Sequence, residues 1–231
     1  MKDILDLSVS QIRIFTVDAV PIRALRTQEA IAGIAKAFSF VQAGIDPASG
    51  ALGFQGGRRK VGAEEIVIET VAIEPRRIHI QVLGTSQGAD ACFEALRDAI
   101  SEYTPQRPTM SELVMKSEET SCTVTLEFSI ERLFTQQVLA FAKEDLLPNT
   151  SLPGLPAIVR SLKLGVEVGY VPKDNRLNEQ GITLSNKHFL IEPRVGTRLE
   201  ERRYFTSSPL GSDAHLRVLD LLESRLRREA R

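Results

Sequence analysis

The histidines and cysteines are the residues of this chain whose side chains are best suited to nucleophilic or metal chemistry. There are three histidines and two cysteines, and none of them has a second ligand at the spacing of a metal-binding motif. Cys92 and Cys122 each fall on the apolar side of a predicted element, which is typical of small buried residues in a reducing compartment. His79 is the strongest acid–base candidate, because it alternates onto the polar face of a predicted strand beside Arg77. We expect no metal and no cofactor.

Local sequence motifs for catalysis are weak. No serine lies in a G-x-S-x-G motif, and neither cysteine has a nucleophile motif around it. Neighbouring carboxylates such as those of Glu64 and Glu65 would point to opposite faces of a strand, so they could not share one proton-transfer site. A catalytic set assembled from distant residues stays open, but the sequence favours a protein that is not an enzyme.

Two basic clusters predict an anion site. Arg58, Arg59 and Lys60 follow a glycine-rich stretch and are expected in a hairpin loop, whose backbone N–H groups and cations could contact a phosphate. Arg76 and Arg77 lie at the next predicted turn. The spacing of a P-loop is missing. These five residues are either phosphate or nucleic-acid contacts or charges that keep a loop soluble.

Residues 64–103 show most clearly the elements that position these side chains. The alternation of apolar and polar residues over 78–82 predicts a strand with one buried face. After Gly84 the apolar residues recur every three or four positions, as in an amphipathic helix. The tetrapeptide Ile-Glu-Pro-Arg at 73–76 returns at 191–194, again before a strand and a long terminal helix. This repetition predicts an internal duplication.

Each half of the chain predicts a strand, a helix, three or four antiparallel strands and a closing helix. In the first half these are a strand at 11–20, a helix at 27–40, a short strand and basic loop at 50–60, and the unit at 64–103. In the second half they are strands at 121–129, 159–171, 181–185, 187–193 and 198–206, a helix at 131–147 and a helix from Ser212. We predict an α+β fold with two pseudo-symmetric lobes, 1–115 and 116–231, joined by a connector at 104–119. The helices are expected on one face of the sheet.

This order of elements resembles the saddle-shaped fold of the TATA-box-binding protein family. The similarity extends over most of the chain and includes the passage from a strand through Gly84 and Thr85 into a helix. It implies a curved sheet with one open face, which in that family binds the minor groove of DNA. The resemblance is one of element order and hydrophobic period. No residue role is carried over, because Glu127 and Glu167 fall on the predicted open face.

The face of the sheet opposite the helices is the second candidate site. Five polar residues are predicted to point outward there: His79, Gln81, Thr123, Thr125 and Lys163. If apolar residues join them, the face is too apolar to be left exposed. The apolar candidates are Phe15, Val17, Val67, Val71 and Ile73.

Composition excludes several classes of protein. The chain has 231 residues, of which 42% are hydrophobic and 26% charged, as in globular proteins that bury their own core. Because its 29 basic and 30 acidic residues nearly cancel, the net charge does not attract a polyanion or an anionic membrane. Only a local basic patch could bind such a partner. No apolar run approaches the length of a membrane span. We expect a cytoplasmic protein without a membrane partner.

Three functions follow in order of preference. The first is a non-catalytic binding or assembly protein that presents a sheet face or edge to a protein partner or to another copy of itself. The second is a nucleic-acid-binding protein that uses the basic loop and the saddle-like surface. The third is an enzyme or small-ligand carrier with a cavity between sheet and helices, near His79 or Cys92.

Overall fold

The computed structural model describes residues 3–61, 64–105, 108–147, 162–170 and 176–228 of the chain. These residues form a mixed α+β fold around one open, antiparallel sheet of nine strands, so the predicted α+β class is confirmed. Within the described ranges, no helix is long and apolar enough to cross a membrane. Residues 148–156, where the prolines predict a loop, and both ends of the predicted strand at 159–171 lie outside the described residues.

The strands and helices follow one another in chain order. The strands are β1 (Asp3–Phe15), β2 (Gln42–Ile45), β3 (Leu52–Val61), β4 (Glu64–Ile73), β5 (Arg77–Leu83), β6 (Leu113–Thr125), β7 (Leu164–Val168), β8 (Lys187–Pro193) and β9 (Arg203–Ser208). The helices are α1 (Ile22–Leu25), α2 (Gln28–Ala37), α3 (Ser86–Ser101), α4 (Gln136–Ala140), α5 (Arg176–Glu179) and α6 (Ser212–Arg228). A π-helical segment, Phe141–Leu146, extends α4. Single 3-10 turns lie at Met110–Glu112, Ile130–Leu133 and Leu199–Glu201.

The two central strands of the sheet are β1 and β6. The strand order is β2-β3-β4-β5-β1-β6-β9-β8-β7. β1 and β6 are antiparallel, and their register extends from Asp3 opposite Thr125 to Phe15 opposite Leu113. β5 and β9 flank this pair, and each leads into a long helix, α3 or α6. Both halves of the chain therefore contribute to one sheet, and the predicted lobe boundary at 115/116 falls inside β6.

Local sequence signals explain where several elements begin. Thr27 and Thr85 are the N-caps of α2 and α3, and each side chain accepts a hydrogen bond from the backbone N–H three residues later. Gly84 makes the turn between β5 and α3 with a φ of 137°, a conformation that other residues rarely adopt. The sequence Thr-Met-Ser-Glu at 109–112 has the pattern of a capping box, and the structure confirms it, because the N–H of Thr109 donates to Glu112 Oε2 at 2.8 Å.

The core consists of two hydrophobic clusters on the face of the sheet that carries the helices. The first packs beneath α2 and α3, and its buried residues lie between Val9 and Ile100. The second packs beneath α6, and its buried residues lie between Cys122 and Leu219. Both cysteines are buried and unbridged, Cys92 in the first cluster and Cys122 in the second. The prediction that they are small core residues is confirmed.

Parts of the predicted outline are wrong. Residues 58–60 are not a loop but the end of β3, where they pair with residues 65–67 of β4. Leu113–Glu119, predicted within the connector, belongs to β6, because it pairs with β1. The predicted strand at 181–185 is irregular chain before β8. The sequence does not predict β2, a short edge strand with few apolar residues.

Three of the five apolar residues expected on the open face lie in the core instead. Phe15, Val71 and Ile73 are buried in the first hydrophobic cluster. The register of β4 against β5 shifts between residues 68 and 70, and this β-bulge changes which face the later residues of β4 occupy. Val67 therefore faces away from the helices, whereas Val71 faces the core. The fifth residue, Val17, is 62% exposed in the turn after β1.

A buried cation joins β1 to α3 on the helix face. Arg13 is 4% exposed, its Nη2 donates to Asp90 Oδ1 at 2.5 Å, and its guanidinium lies 3.6 Å from the ring centroid of Phe93. Gln11 Nε2 and Lys116 Nζ donate to the same oxygen at 2.8 and 2.7 Å. Burial lowers the pKa of Arg13. Partial burial acts to raise the pKa of Asp90, yet the hydrogen bonds from Lys116 and Gln11 hold it below its usual value.

Removing the acidic partner should destabilise the fold more than replacing the basic one. Asp90→Ala leaves the Arg13 cation buried without its nearest carboxylate, so we expect the free energy of unfolding to fall by about 3 kcal/mol. Arg13→Met retains much of the packing and removes the buried charge, so we expect a loss of about 1 kcal/mol. Arg58→Ala, at a side chain that is 67% exposed, is the control and should change little. Denaturant unfolding measures all three, and a larger loss for Arg13→Met would contradict this account.

Candidate functional site

The open face of the sheet, opposite α2, α3 and α6, is centred on β1 and β6. The β1 residues that point to it alternate with those of the core: Ser8, Ser10, Ile12 and Ile14. On β5, which pairs with β1, His79 and Gln81 point to the same face, because they alternate with the buried residues of that strand. The structure therefore brings these two predicted residues beside the centre of the sheet.

Glu69 organises the polar contacts of this region. Its Oε2 accepts hydrogen bonds from Gln81 Nε2 at 2.5 Å and from Ser8 Oγ at 3.3 Å. Glu69 lies at the β-bulge of β4, where an extra residue changes the direction of the side chains. Sequence reasoning missed Glu69 and Ser8, because neither the bulge nor the pairing of β1 with β5 can be read from local alternation.

His79 contacts Ser10 on the neighbouring strand, with 2.9 Å between the serine Oγ and His79 Nε2. Burial and the nearby cation of Arg77 lower the pKa of His79, so the imidazole is neutral near pH 7. A neutral imidazole next to a serine hydroxyl is one part of a nucleophilic site. In the described part of the chain, nothing hydrogen-bonds the second ring nitrogen and orients the ring, as catalysis requires. The pair instead offers hydrogen-bonding groups to whatever covers the face.

The three remaining residues predicted on the open face lie apart from this region. Thr123 is only 3% exposed, and its hydroxyl has no hydrogen-bond partner among the described residues. Thr125 is the last residue of β6. Lys163 precedes β7 and forms an ion pair with Glu192. The five predicted residues therefore do not form one site.

Glu127, also predicted on the open face, lies against the helix side instead. β6 ends at Thr125, and the chain then turns towards α6. There the carboxylate of Glu127 contacts Arg227 Nη2 at 2.5 Å, and its backbone N–H donates to Glu223 Oε1 at 2.6 Å. The alternation of β6 stops too early for the sequence pattern to place this residue correctly.

A groove of about 700 Å³ opens at the edge of β6, and we call it the β6 groove. Its floor is formed by side chains of the central strands, namely Ile12, Ile14, Met115 and Ser117. Its second wall includes Leu177, Leu184 and Lys187. Arg76 anchors this wall, because its Nη1 and Nη2 donate to the backbone and side-chain oxygens of Gln180 at 3.0 and 3.1 Å. An aliphatic floor with a few polar groups is typical of a binding site.

No protein-family model matches this chain, and no curated protein is significantly similar to it. Function must therefore be inferred from the β6 groove and from the polar residues of the open face beside it. Sequence reasoning missed the groove, because residues 177–187 form its second wall without any regular hydrophobic period. The local signal is limited to three apolar residues, Leu177, Ile182 and Leu184, in an otherwise polar stretch.

The five basic residues predicted as an anion site lie at opposite ends of β4. Residues 58–60 pair with the first residues of β4, whereas Arg76 and Arg77 follow its last residue. The length of the strand separates the two clusters by about 25 Å. The structure does not bring the five cations together.

Four of these five cations are engaged by other groups of the protein. Arg59 stacks over Phe38 and donates to a carbonyl at the end of α2, on the helix side. Arg76 holds the wall of the β6 groove. Arg58 Nη1 lies 3.9 Å from Glu65 Oε2, and Arg77 Nη2 lies 2.5 Å from Glu74 Oε1. Lys60, opposite Glu65 near the end of β3, points to the open face.

Neither cysteine is suited to nucleophilic chemistry. Burial raises the pKa of Cys92 to about 12 and also raises that of Cys122. Cys122 Sγ lies 3.5 Å from His215 Nε2, and the hydroxyls of Thr206 and Ser208 contact the two ring nitrogens of His215 at 2.9 and 2.7 Å. Both nitrogens are satisfied inside the second hydrophobic cluster, so this network is part of the core. The described residues contain no group of three His, Cys, Asp or Glu placed to hold a metal ion.

His215 should make the fold sensitive to acid. Burial lowers the pKa of His215 to about 4, whereas in the unfolded chain it binds a proton near pH 6.5. Its contribution to the free energy of unfolding is therefore complete above pH 6.5 and is lost as the pH falls to 4, a loss of about 3 kcal/mol. His215→Gln, which keeps hydrogen-bonding groups but does not titrate, should lose less stability between pH 7 and pH 4. Urea unfolding at both pH values measures the difference, and identical losses in the two proteins would contradict this role of His215.

Proposed function

We propose that the protein is a non-catalytic binding protein that holds a protein partner on the open face of its sheet. The β6 groove carries this proposal, because it offers about 700 Å³ with an aliphatic floor at the centre of the face. Ile12, Ile14 and Met115 would bury apolar side chains of the partner there. Polar groups at the rim would fix its orientation.

The polar residues beside the groove suit a protein interface. Gln81 and Ser8 both donate hydrogen bonds to Glu69, and Ser10 shares a hydrogen bond with His79. Side chains already held in place lose little rotamer freedom when a partner binds. Their free lone pairs and N–H groups can still contact a partner, as is common at the polar rim of an interface.

The charge pattern of the open face favours a protein over a nucleic acid. Lys187 pairs with Glu119 at 3.3 Å, and Lys163 pairs with Glu192. Such ion pairs have no net charge to attract a phosphate backbone, and the carboxylate of Glu69 would repel one. The nucleic-acid alternative would also require two basic clusters at opposite ends of β4 to act on one ligand.

An enzymatic role has less support than a binding role. The two residues considered for it, His79 and Cys92, lie on opposite faces of the sheet, so one cavity cannot contain both. The thiol of Cys92 is protonated at physiological pH, because burial raises its pKa to about 12. The hydrogen bond between His79 and Ser10 is better interpreted as part of a contact surface.

An internal duplication, with the element order of the TATA-box-binding protein, would explain why the groove lies at the centre of the sheet. β1 and β6 are the central strands, and each is flanked by a strand that leads into a long helix. Ser86 and Ser212, the first residues of α3 and α6, each donate a backbone N–H to the other's hydroxyl, at 3.0 and 2.8 Å. Two-fold symmetry between duplicated units produces such reciprocal contacts. The partner would then bind where lobes 1–115 and 116–231 meet.

Site-specific photo-crosslinking tests this function. A benzophenone amino acid is placed at Leu184 in the groove wall or, as a control, at Leu221, which is 62% exposed on α6. In cells that naturally produce the protein, we expect only the Leu184 variant to form a defined protein adduct, and we expect Met115→Glu to abolish that adduct. The same adducts from both positions, or no adduct from Leu184, would contradict the proposal. An adduct with the protein's own chain would identify the partner as a second copy.

A further inference from the structure

β6 has a strand on both sides over only part of its length. It pairs with β1 from end to end, but with β9 only from Thr120 to Thr125. β9 ends at Ser208, and the next residue, Pro209, lacks the N–H that would continue the ladder. Within the described ranges, no strand pairs with the second side of Leu113–Glu119. Alternate residues of this segment therefore direct backbone N–H and C=O groups towards the β6 groove.

The gap beside this edge is as wide as one strand. β8 pairs with β9 at Leu190–Pro193, whereas Lys187 and the residues next to it pair with β7 alone. β6 and β8 are neighbours of β9 on its two sides, so they lie two strand spacings apart, about 10 Å. Lys187 Nζ reaches Glu119 Oε2 at 3.3 Å and closes the gap at the end where β9 stops. An extended chain fits beside Leu113–Glu119 without displacing any strand.

Two of the three charged side chains of this edge, Lys116 and Glu118, point away from it. A lysine on an exposed strand edge commonly blocks the approach of another strand. Here Lys116 Nζ is held by Asp90 at 2.7 Å and by Glu118 at 3.1 Å. Glu118 Oε1 in turn accepts a hydrogen bond at 2.6 Å from Gln11 of β1. Both side chains reach back over β1, so they leave the backbone of β6 accessible.

We propose that the edge of β6 at Leu113–Glu119 binds an extended segment of a partner protein as an additional strand. This inference rests on the proposed function and specifies how the partner is held. Backbone groups of β6 pair with those of the segment, which is the physical basis of strand addition in general. Seven residues of β6 extend over about 23 Å, so a partner segment of six or seven residues fills the edge.

The two faces of the added strand meet different surroundings. Towards the open face, its side chains lie next to Met115 and near Ile14 of β1, so apolar residues are favoured there. Towards the helix face, they lie next to Lys116 and Glu118, so polar residues are favoured. Because side chains of a strand alternate between its faces, the bound segment should be apolar at every second position.

Selection from a random heptapeptide library displayed on phage tests the inference, with the Met115→Glu variant used for counter-selection. We expect the enriched peptides to alternate apolar and polar residues and to contain no central proline. Synthetic copies of these peptides should bind the wild-type protein at least about tenfold more tightly than Met115→Glu. Leu221→Glu introduces the same charge on α6 and should leave the affinity unchanged. Thermal unfolding of both variants checks that they remain folded.

Amide-to-ester substitution in a selected peptide distinguishes strand addition from binding by side chains alone. Only every second residue of an added strand directs its N–H towards β6. Esters at one alternate set of positions should therefore weaken binding by about tenfold or more, whereas esters at the other set should have little effect. In the free protein, alternate amides of Leu113–Glu119 should exchange with deuterium rapidly and should become protected when the peptide binds.

Three outcomes would overturn the inference. Peptides that require Met115 but tolerate both ester sets would show binding in the groove without strand addition, which leaves the proposed function intact. If no peptide is enriched on the wild-type protein relative to Met115→Glu, the inference is wrong. Crosslinking from Leu184 would then decide separately whether the proposed function holds. A dimer in native mass spectrometry that Met115→Glu abolishes would show that a second copy, not a partner protein, occupies the edge.

Discussion

The antiparallel pairing of β1 with β6 is the constraint on which the rest of the structure depends. It brings the first strand of the chain against a strand that begins only after α3, and it makes one sheet from both halves. Because the register is unbroken from Ser8 opposite Ser121 to Ile14 opposite Met115, the side chains of both halves share one open face there. The same pairing brings the beginnings of α3 and α6 together, where Ser86 and Ser212 exchange hydrogen bonds. The candidate site lies at this junction because the sheet has its centre there.

The buried polar layer between β1 and α3 connects the interior of the protein to the surface of the groove. Arg13 stacks on Phe93 in the core and binds Asp90, which also accepts from Lys116. Lys116 and Glu118 therefore serve two purposes. They complete the hydrogen bonds of a partly buried charge cluster, and they are withdrawn from the edge of β6. A polar network that stabilises the interior thus also determines which backbone groups the surface exposes.

Elements with their own periodic signal could be predicted from the sequence, and elements formed by pairing could not. The alternation over 78–82 and the helical period after Gly84 correspond to β5 and α3. By contrast, Leu113–Glu119 contains Lys-Ser-Glu-Glu, which is typical of a linker, and it is a strand only because β1 lies beside it. A bulge at Glu69 reversed the expected direction of Val71. The groove combines these unpredictable features, so His79 and Gln81 could be placed on the open face while the groove next to them could not.

The edge of β6 that β9 leaves uncovered follows from the way the second half returns to the helix layer. β9 pairs with β6 as far as Ser208, and α6 must begin at Ser212 for its first N–H to reach Ser86. The chain crosses from the sheet to the helix layer in the turn between them, where Thr120 Oγ1 donates to the carbonyl of Leu210 at 2.7 Å. A longer β9 would cover the edge but would carry the start of α6 away from α3. Contact between the starts of α3 and α6 therefore limits how far β9 can cover β6, and no other described strand pairs with Leu113–Glu119 on that side.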